Sequence, residues 1–187
     1  MTHALTHLDV ADADDPLAFA VLLHPHPDYG GDRFHPFIGG LFTRLPVHGI
    51  SAIRFDFSSG HSDVARDEAA RALGEGAVRW PGVPAIVAGY SFGAGIAASI
   101  DDERVAGWYL LAPQVEALGT ATIGDDPRPK AIAVPELDQF SPPARVGPAV
   151  AGWRATTVTT IPATDHFLGM VEPVVAAALD WIESIAP

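Results

Sequence analysis

The sequence predicts an α/β protein: a three-layer α/β/α sandwich around a mostly parallel, doubly wound sheet. Three observations predict it. Continuous apolar runs rich in Val, Ile and Leu recur along the chain, segments of helical spacing separate them, and proline and glycine fall in the connections. Runs that are apolar throughout, rather than alternating, mark strands covered on both faces, and their regular alternation with helices marks crossover units in one layered sheet.

The apolar runs occupy residues 18–23, 50–57, 83–90, 105–111, 131–134 and 156–161. Each has a length suited to a buried strand, so six buried strands are expected. Helical spacing occupies residues 37–48, 64–80, 92–100 and 143–153, with a well-patterned closing helix at 170–185. Right-handed crossovers follow for strands linked this way. Residues 113–130, within APQVEALGTATIGDDPRPK, read as a longer irregular connection that drapes over the sheet as a short lid. The 17 prolines and 18 glycines are dispersed through the turns and no repeat or linker interrupts them, so residues 1–187 are expected to form one domain.

Composition narrows the function classes. A chain of 187 residues with 48% hydrophobic and 18% charged residues is compact rather than disordered. Its net charge of −12 repels phosphate backbones and anionic lipid surfaces, which argues against nucleic acid and membrane as partners. The absence of cysteine excludes disulfides, a thiol nucleophile and thiolate metal sites. MTHALTHLDVADADD at the N-terminus has neither a basic start nor an apolar stretch, and no run reaches membrane-spanning length, so a soluble cytoplasmic protein is expected. Monomer and homodimer both remain open.

Gly89-Tyr90-Ser91-Phe92-Gly93 follows the run VPAIVA and precedes AGIAASI, giving strand, tight turn and helix in sequence. A serine at such an apex needs small neighbours because strand end and helix start approach closely. The helix beginning after it aims N–H groups and the positive end of its dipole at the serine, which suits a developing oxyanion. Ser91 is therefore the candidate nucleophile and the Phe92 amide a candidate oxyanion donor. Taken alone, the same serine is also an ordinary N-cap.

A serine hydroxyl needs a base within hydrogen-bond reach and a third group to hold the base's tautomer. Past the run AIAVP comes Glu136-Leu137-Asp138-Gln139-Phe140, and past TTVTTIP comes Ala163-Thr164-Asp165-His166-Phe167. Both segments lie beyond strand ends on the edge of the sheet that carries Ser91. Asp138 is the candidate acid, with Glu136 and Asp165 as competitors, and His166 is the candidate base.

The run FAVLL ends in His24-Pro25-His26-Pro27-Asp28-Tyr29-Gly30-Gly31. Since Pro25 and Pro27 have no N–H, His26 is the main-chain donor available between His24 and Asp28, and its amide is the second candidate for the oxyanion hole. His24, Tyr29, Tyr90 and Phe167 are candidates to line the substrate pocket, and Phe34, Phe37 and Phe92 are further aromatics for it. His24 and His26 with His35 or Asp28 could alternatively gather around a metal.

With these residues in place, the chain resembles the α/β-hydrolase superfamily, and within it small cap-less hydrolases related to dienelactone hydrolases that carry an HPHP-x-x-GG loop. Here that loop reads HPHPDYGGD. GYSFGA at 89–94, FDFSSGHSD at 55–63, ELDQFSPP at 136–143 and TDHF at 164–167 look like further landmarks of that family, so the similarity spans most of the chain. The order Ser91, Asp138, His166 matches the family's order. The resemblance implies a minimal α/β-hydrolase fold without a large cap, hydrolysis of a small-molecule carboxylic ester or related acyl substrate, and no cofactor or metal. Where the family's loop resembles FRGVGxS, Phe57-Ser58-Ser59-Gly60-His61-Ser62 lacks the arginine. The short N-terminal segment implies that the family's leading antiparallel strands are reduced. Two other functions fit the same sequence: a non-catalytic module that binds a ligand or partner on this fold, and a histidine-based metal protein.

Overall fold

The computed structural model describes residues 5–187; the start of the N-terminal segment read above, residues 1–4, lies outside them. Among the described residues seven strands form one sheet: β1 (Thr6–Ala11), β2 (Ala18–Leu23), β3 (Ile50–Asp56), β4 (Ala85–Tyr90), β5 (Val105–Leu111), β6 (Lys130–Pro135) and β7 (Thr156–Ile161). Their order is β1-β3-β2-β4-β5-β6-β7, with β1 antiparallel to β3 and all other pairs parallel. The helices are α1 (Pro36–Arg44), α2 (Ser62–Arg79), α3 (Phe92–Ala97), α4 (Val115–Leu118), α5 (Pro143–Ala149) and α6 (Val171–Ile185).

The continuous apolar character of β2 has a direct structural cause. Phe19, Val21 and Leu23 enter one core with α2, α3 and α5, whereas Ala18, Ala20 and Leu22 enter a second core with α1 and α6. Side chains alternate between faces, so a strand buried on both must be apolar at every position. In α2, Ala65, Ala69, Ala72 and Leu73 face the sheet; in α6, Val174, Val175, Ala178, Leu179 and Ile182 do so, each set at helical spacing.

The chain steps from β2 to β3 in one direction, then crosses back through α2 to β4 on the other side of β2. This reversal opens a crevice beyond the carboxyl ends of β2 and β4, where ligands bind in open α/β sheets.

The structure revises several sequence expectations. β1 is an additional, antiparallel edge strand. Its Asp9 accepts hydrogen bonds from the guanidinium Nε of Arg33 at 3.1 Å and of Arg54 at 3.0 Å, and Arg33 also pairs with Asp56. β7 forms as expected but is not buried, since most of its residues are exposed. The helix expected at 37–48 ends at Arg44 and tightens into a 3-10 turn over Leu45–His48, because Pro46 has no N–H for the α-helical ladder. α5 stops at Ala149, four residues before the expected end at 153, with Pro148 inside its last turn. Residues 113–130 do not form a lid: Leu118 and Ile123 are buried in the core shared with α2 and α3, and Thr122 N–H bonds the Ala98 carbonyl at 3.1 Å.

Candidate active site

Ser91 stands between β4 and α3 with φ 53° and ψ −111°, a conformation that L-residues rarely adopt and that persists where the surroundings impose it. Its N–H is held by the Leu111 carbonyl at 2.9 Å. Glycine is required beside it: a Cβ on Gly93 would lie 2.2 Å from the Leu23 carbonyl oxygen and 2.7 Å from that of His24. The elbow is thus packed against the end of β2, and the loop that follows β2 is carried to the serine.

Ser91 Oγ lies 2.9 Å from His166 Nε2, and His166 Nδ1 lies 2.7 Å from Asp138 Oδ2. The other carboxylate oxygen of Asp138 accepts the N–H groups of Phe140 at 2.9 Å and Ser141 at 2.8 Å. Burial pushes the Asp138 carboxyl up, but the hydrogen bonds from His166, Ser141 and Phe140 outweigh it and hold the group below its ordinary value. An ionised carboxylate can only accept, so Nδ1 carries the imidazole proton and Nε2 presents its lone pair to the Ser91 hydroxyl.

The competing acids are engaged elsewhere. Glu136 Oε2 accepts the Ala163 N–H at 2.8 Å, and Asp165 Oδ1 accepts the Phe167 N–H at 3.0 Å. The Glu136 bond, with Leu137 N–H to the Thr164 carbonyl at 2.9 Å, ties the loop after β6 to the loop after β7, whereas the Asp165 bond stays within the latter. Ala163 and Leu168, both non-glycine residues with positive φ (52° and 56°), bracket the histidine. The Tyr90 hydroxyl donates to the His166 carbonyl oxygen. Burial, reinforced by the Asp138 and Asp165 charges, raises the phenol far above its ordinary value, so it remains a donor. Tyr90 also lines the cavity, but its hydroxyl serves to position the histidine loop, a role its place in the sequence did not reveal.

The two sequence-assigned amides are available. Phe92 is the first residue of α3, where no intrahelical acceptor exists for its N–H. The His26 N–H has no acceptor among the described residues, while the His26 carbonyl takes the Tyr29 and Gly31 N–H groups, each at 3.1 Å. The His26 ring packs on Phe92 with centroids 4.7 Å apart. It is backed by Gly60, where a Cβ would fall 2.2 Å from His26 Cε1. The buried Glu68 holds the Gly60 loop through the Ser58 N–H at 3.1 Å.

A cavity of about 800 Å3 opens over Ser91, a size suited to a small molecule. Tyr29, Tyr90 and Phe167 line it, together with Phe140, Gln114 and Glu116. His24 does not, which corrects its placement in the pocket. It is 1% exposed, its Nε2 accepts the Phe57 N–H at 2.8 Å, and its Nδ1 bonds the Pro25 carbonyl at 2.6 Å. Both ring nitrogens are therefore committed to the fold rather than to a metal, and no cluster of three or more potential ligand side chains suited to a metal occurs among the described residues. Phe37 is core, Phe92 is buried against Phe57, and Phe34 lies under the Arg33 and Arg54 guanidinium groups. Among the described residues no helix is long and apolar enough to cross a membrane.

No protein-family model matches the chain, and no curated protein does. Solved structures do match. An α/β serine hydrolase homologue from Coxiella burnetii is similar at TM-score 0.84 and 21% identity, over 94% of this chain and 90% of its own. An α/β serine hydrolase without a lid from Xanthomonas campestris is similar at TM-score 0.80 and 23% identity, over 98% of this chain and 93% of its own. The esterase domain of a Rhodothermus marinus protein is similar at TM-score 0.74 and 16% identity, over 96% of this chain and 92% of its own.

Proposed function

The chain has the α/β-hydrolase fold in a form without a lid, and from that premise we propose that it is a serine hydrolase that cleaves a small carboxylic ester or related acyl substrate. The observation that carries the reading is the hydrogen-bonded sequence Ser91 Oγ, His166 Nε2, His166 Nδ1, Asp138 Oδ2, at 2.9 and 2.7 Å, on the floor of a small-molecule cavity. The esterase domain among the structural neighbours agrees with an ester as substrate.

Ser91 Oγ attacks the acyl carbon as His166 Nε2 takes its proton. Asp138 stabilises the resulting imidazolium and stays ionised. The amides of His26 and Phe92 receive the tetrahedral oxyanion, aided by the N-terminus of α3. Collapse breaks the acyl carbon–oxygen bond, the alkoxide leaves with the proton from Nε2, and the acyl group stays on Oγ. Water, deprotonated by His166, then attacks the acyl-enzyme, and the same amides hold the second oxyanion until the acid departs. Every proton in this cycle passes through His166 Nε2.

The test is hydrolysis of p-nitrophenyl acetate by the purified protein. Ser91→Ala and His166→Ala should each lower kcat by at least about a thousandfold, with little change in stability. An undiminished rate in Ser91→Ala contradicts the reading.

A further inference from the structure

In the cleavage step the departing alkoxide takes its proton from His166 Nε2, so the alcohol half of the ester lies on the histidine's side of Ser91 while the carbonyl oxygen faces the His26 and Phe92 amides. That side of the cavity is walled by Phe140 and Phe167. Both rings meet the imidazole edge to face, with centroids 4.9 and 5.9 Å from it at interplanar angles of 76° and 88°. They meet each other at 6.0 Å and 85°. Both nevertheless remain open to solvent, 54% and 66% exposed. Two adjacent phenyl rings left in water beside a nucleophile form an apolar surface that a bound group can cover, and their right-angled setting offers one ring face and one ring edge to a third ring.

The charge around the cavity restricts that ring further. Among the described residues no lysine or arginine lines the cavity, and its wall carries the Glu116 carboxylate. Arg145, which bonds Glu116 at 2.9 Å, is not in the wall. The chain's net charge of −12 adds to the repulsion of an anion.

We propose that the alcohol half of the substrate carries an uncharged aromatic ring seated against Phe140 and Phe167. This rests on the serine-hydrolase reading above and adds the class of leaving group. The bond broken is the one between the acyl carbon and the alcohol oxygen; the proton that Ser91 gave to His166 goes to that oxygen, and an aromatic alcohol departs past the two phenyl rings.

Four acetates separate the ring from the chemistry: methyl, benzyl, cyclohexylmethyl and p-carboxybenzyl acetate, which share one acyl group. For the wild-type protein kcat/KM for benzyl acetate should exceed that for cyclohexylmethyl acetate by about tenfold. The p-carboxybenzyl ester should be slower than benzyl acetate, with the gap narrowing as salt is added. Phe140→Leu and Phe167→Leu alter exposed side chains and should fold; each should lower the benzyl-to-cyclohexylmethyl ratio, with kcat/KM for benzyl acetate falling more than that for methyl acetate. Equal rates for benzyl and cyclohexylmethyl acetate, or a ratio retained in both leucine variants, overturns the proposal while the hydrolase reading stands. Turnover of none of the four also overturns it, and the hydrolase reading falls with it only if Ser91 in the same preparation resists a fluorophosphonate.

Discussion

His24 Nε2 accepts the Phe57 N–H at 2.8 Å, which pins the end of β3 to the loop that carries the His26 amide. The bond requires a neutral imidazole with its proton on Nδ1, and burial holds His24 below the ordinary histidine value against the pull of the Pro25 carbonyl and the Asp56, Asp32 and Glu68 carboxylates.

Stability should therefore depend on pH through buried imidazoles. Burial also pushes His35, which lines the cavity, from 6.5 down to about 4. In the unfolded chain both rings charge below 6.5, so the unfolded state binds more protons there and stability rises with pH across that window. Their contribution is complete above 6.5 and is lost as pH falls toward the folded value, about 4 for His35. For His35 alone the loss is at most about 3 kcal/mol. Urea unfolding followed across this window should show the falling midpoint, and His35→Gln, which cannot titrate, should fall less steeply. An identical slope in that variant refutes the assignment.

Gly93→Ala should damage fold and site together. The new methyl would sit 2.2 Å from the Leu23 carbonyl oxygen, and backbone on both sides leaves no side chain to swing away. A loss of about 1–3 kcal/mol is expected, with the elbow displaced from the His26 loop and any hydrolysis of p-nitrophenyl acetate reduced more than thermal stability alone accounts for. Wild-type stability and activity would show that the two segments are not locked.

Exchanging the acid discriminates among the three carboxylates near the histidine. Asp138→Asn should reduce kcat by about ten-thousandfold, because the amide cannot hold the same imidazole tautomer. Glu136→Gln and Asp165→Asn, whose acceptors bond backbone N–H groups, should retain activity within about tenfold. A normal rate in Asp138→Asn moves the role to one of the other two.

The sequence showed the sheet where burial leaves a local imprint. β2, β4 and β5 are apolar at nearly every position because each is covered on both faces, β3 and β6 are apolar apart from Ser51, Arg54, Asp56 and Lys130, and the helices between them display one apolar stripe. β1 has no such imprint: Thr6–Ala11 is a short edge strand whose Asp9 is held by Arg33 and Arg54, partners that no window of local sequence contains. The exposure of β7 is written in its threonines, but a β-branched run reads as strand whether buried or not.

For the site, Ser91, Asp138 and His166 were legible because each follows a recognisable strand end, and the parallel sheet brings such ends to one edge. What eluded sequence reasoning depends on orientation. His24 has the position of a pocket residue but turns inward to Phe57; the Tyr90 hydroxyl acts on a loop 76 residues away; and Phe140, overlooked between Asp138 and Ser141, forms with Phe167 the aromatic wall.

The most direct test of the central claim is exposure of the native protein to a fluorophosphonate, with the adduct located by mass spectrometry and Ser91→Ala and His166→Ala as controls. Stoichiometric modification of Ser91, abolished in both controls, is the result expected of a serine activated by His166; a folded wild-type protein that remains unmodified, or one modified equally in His166→Ala, would contradict it.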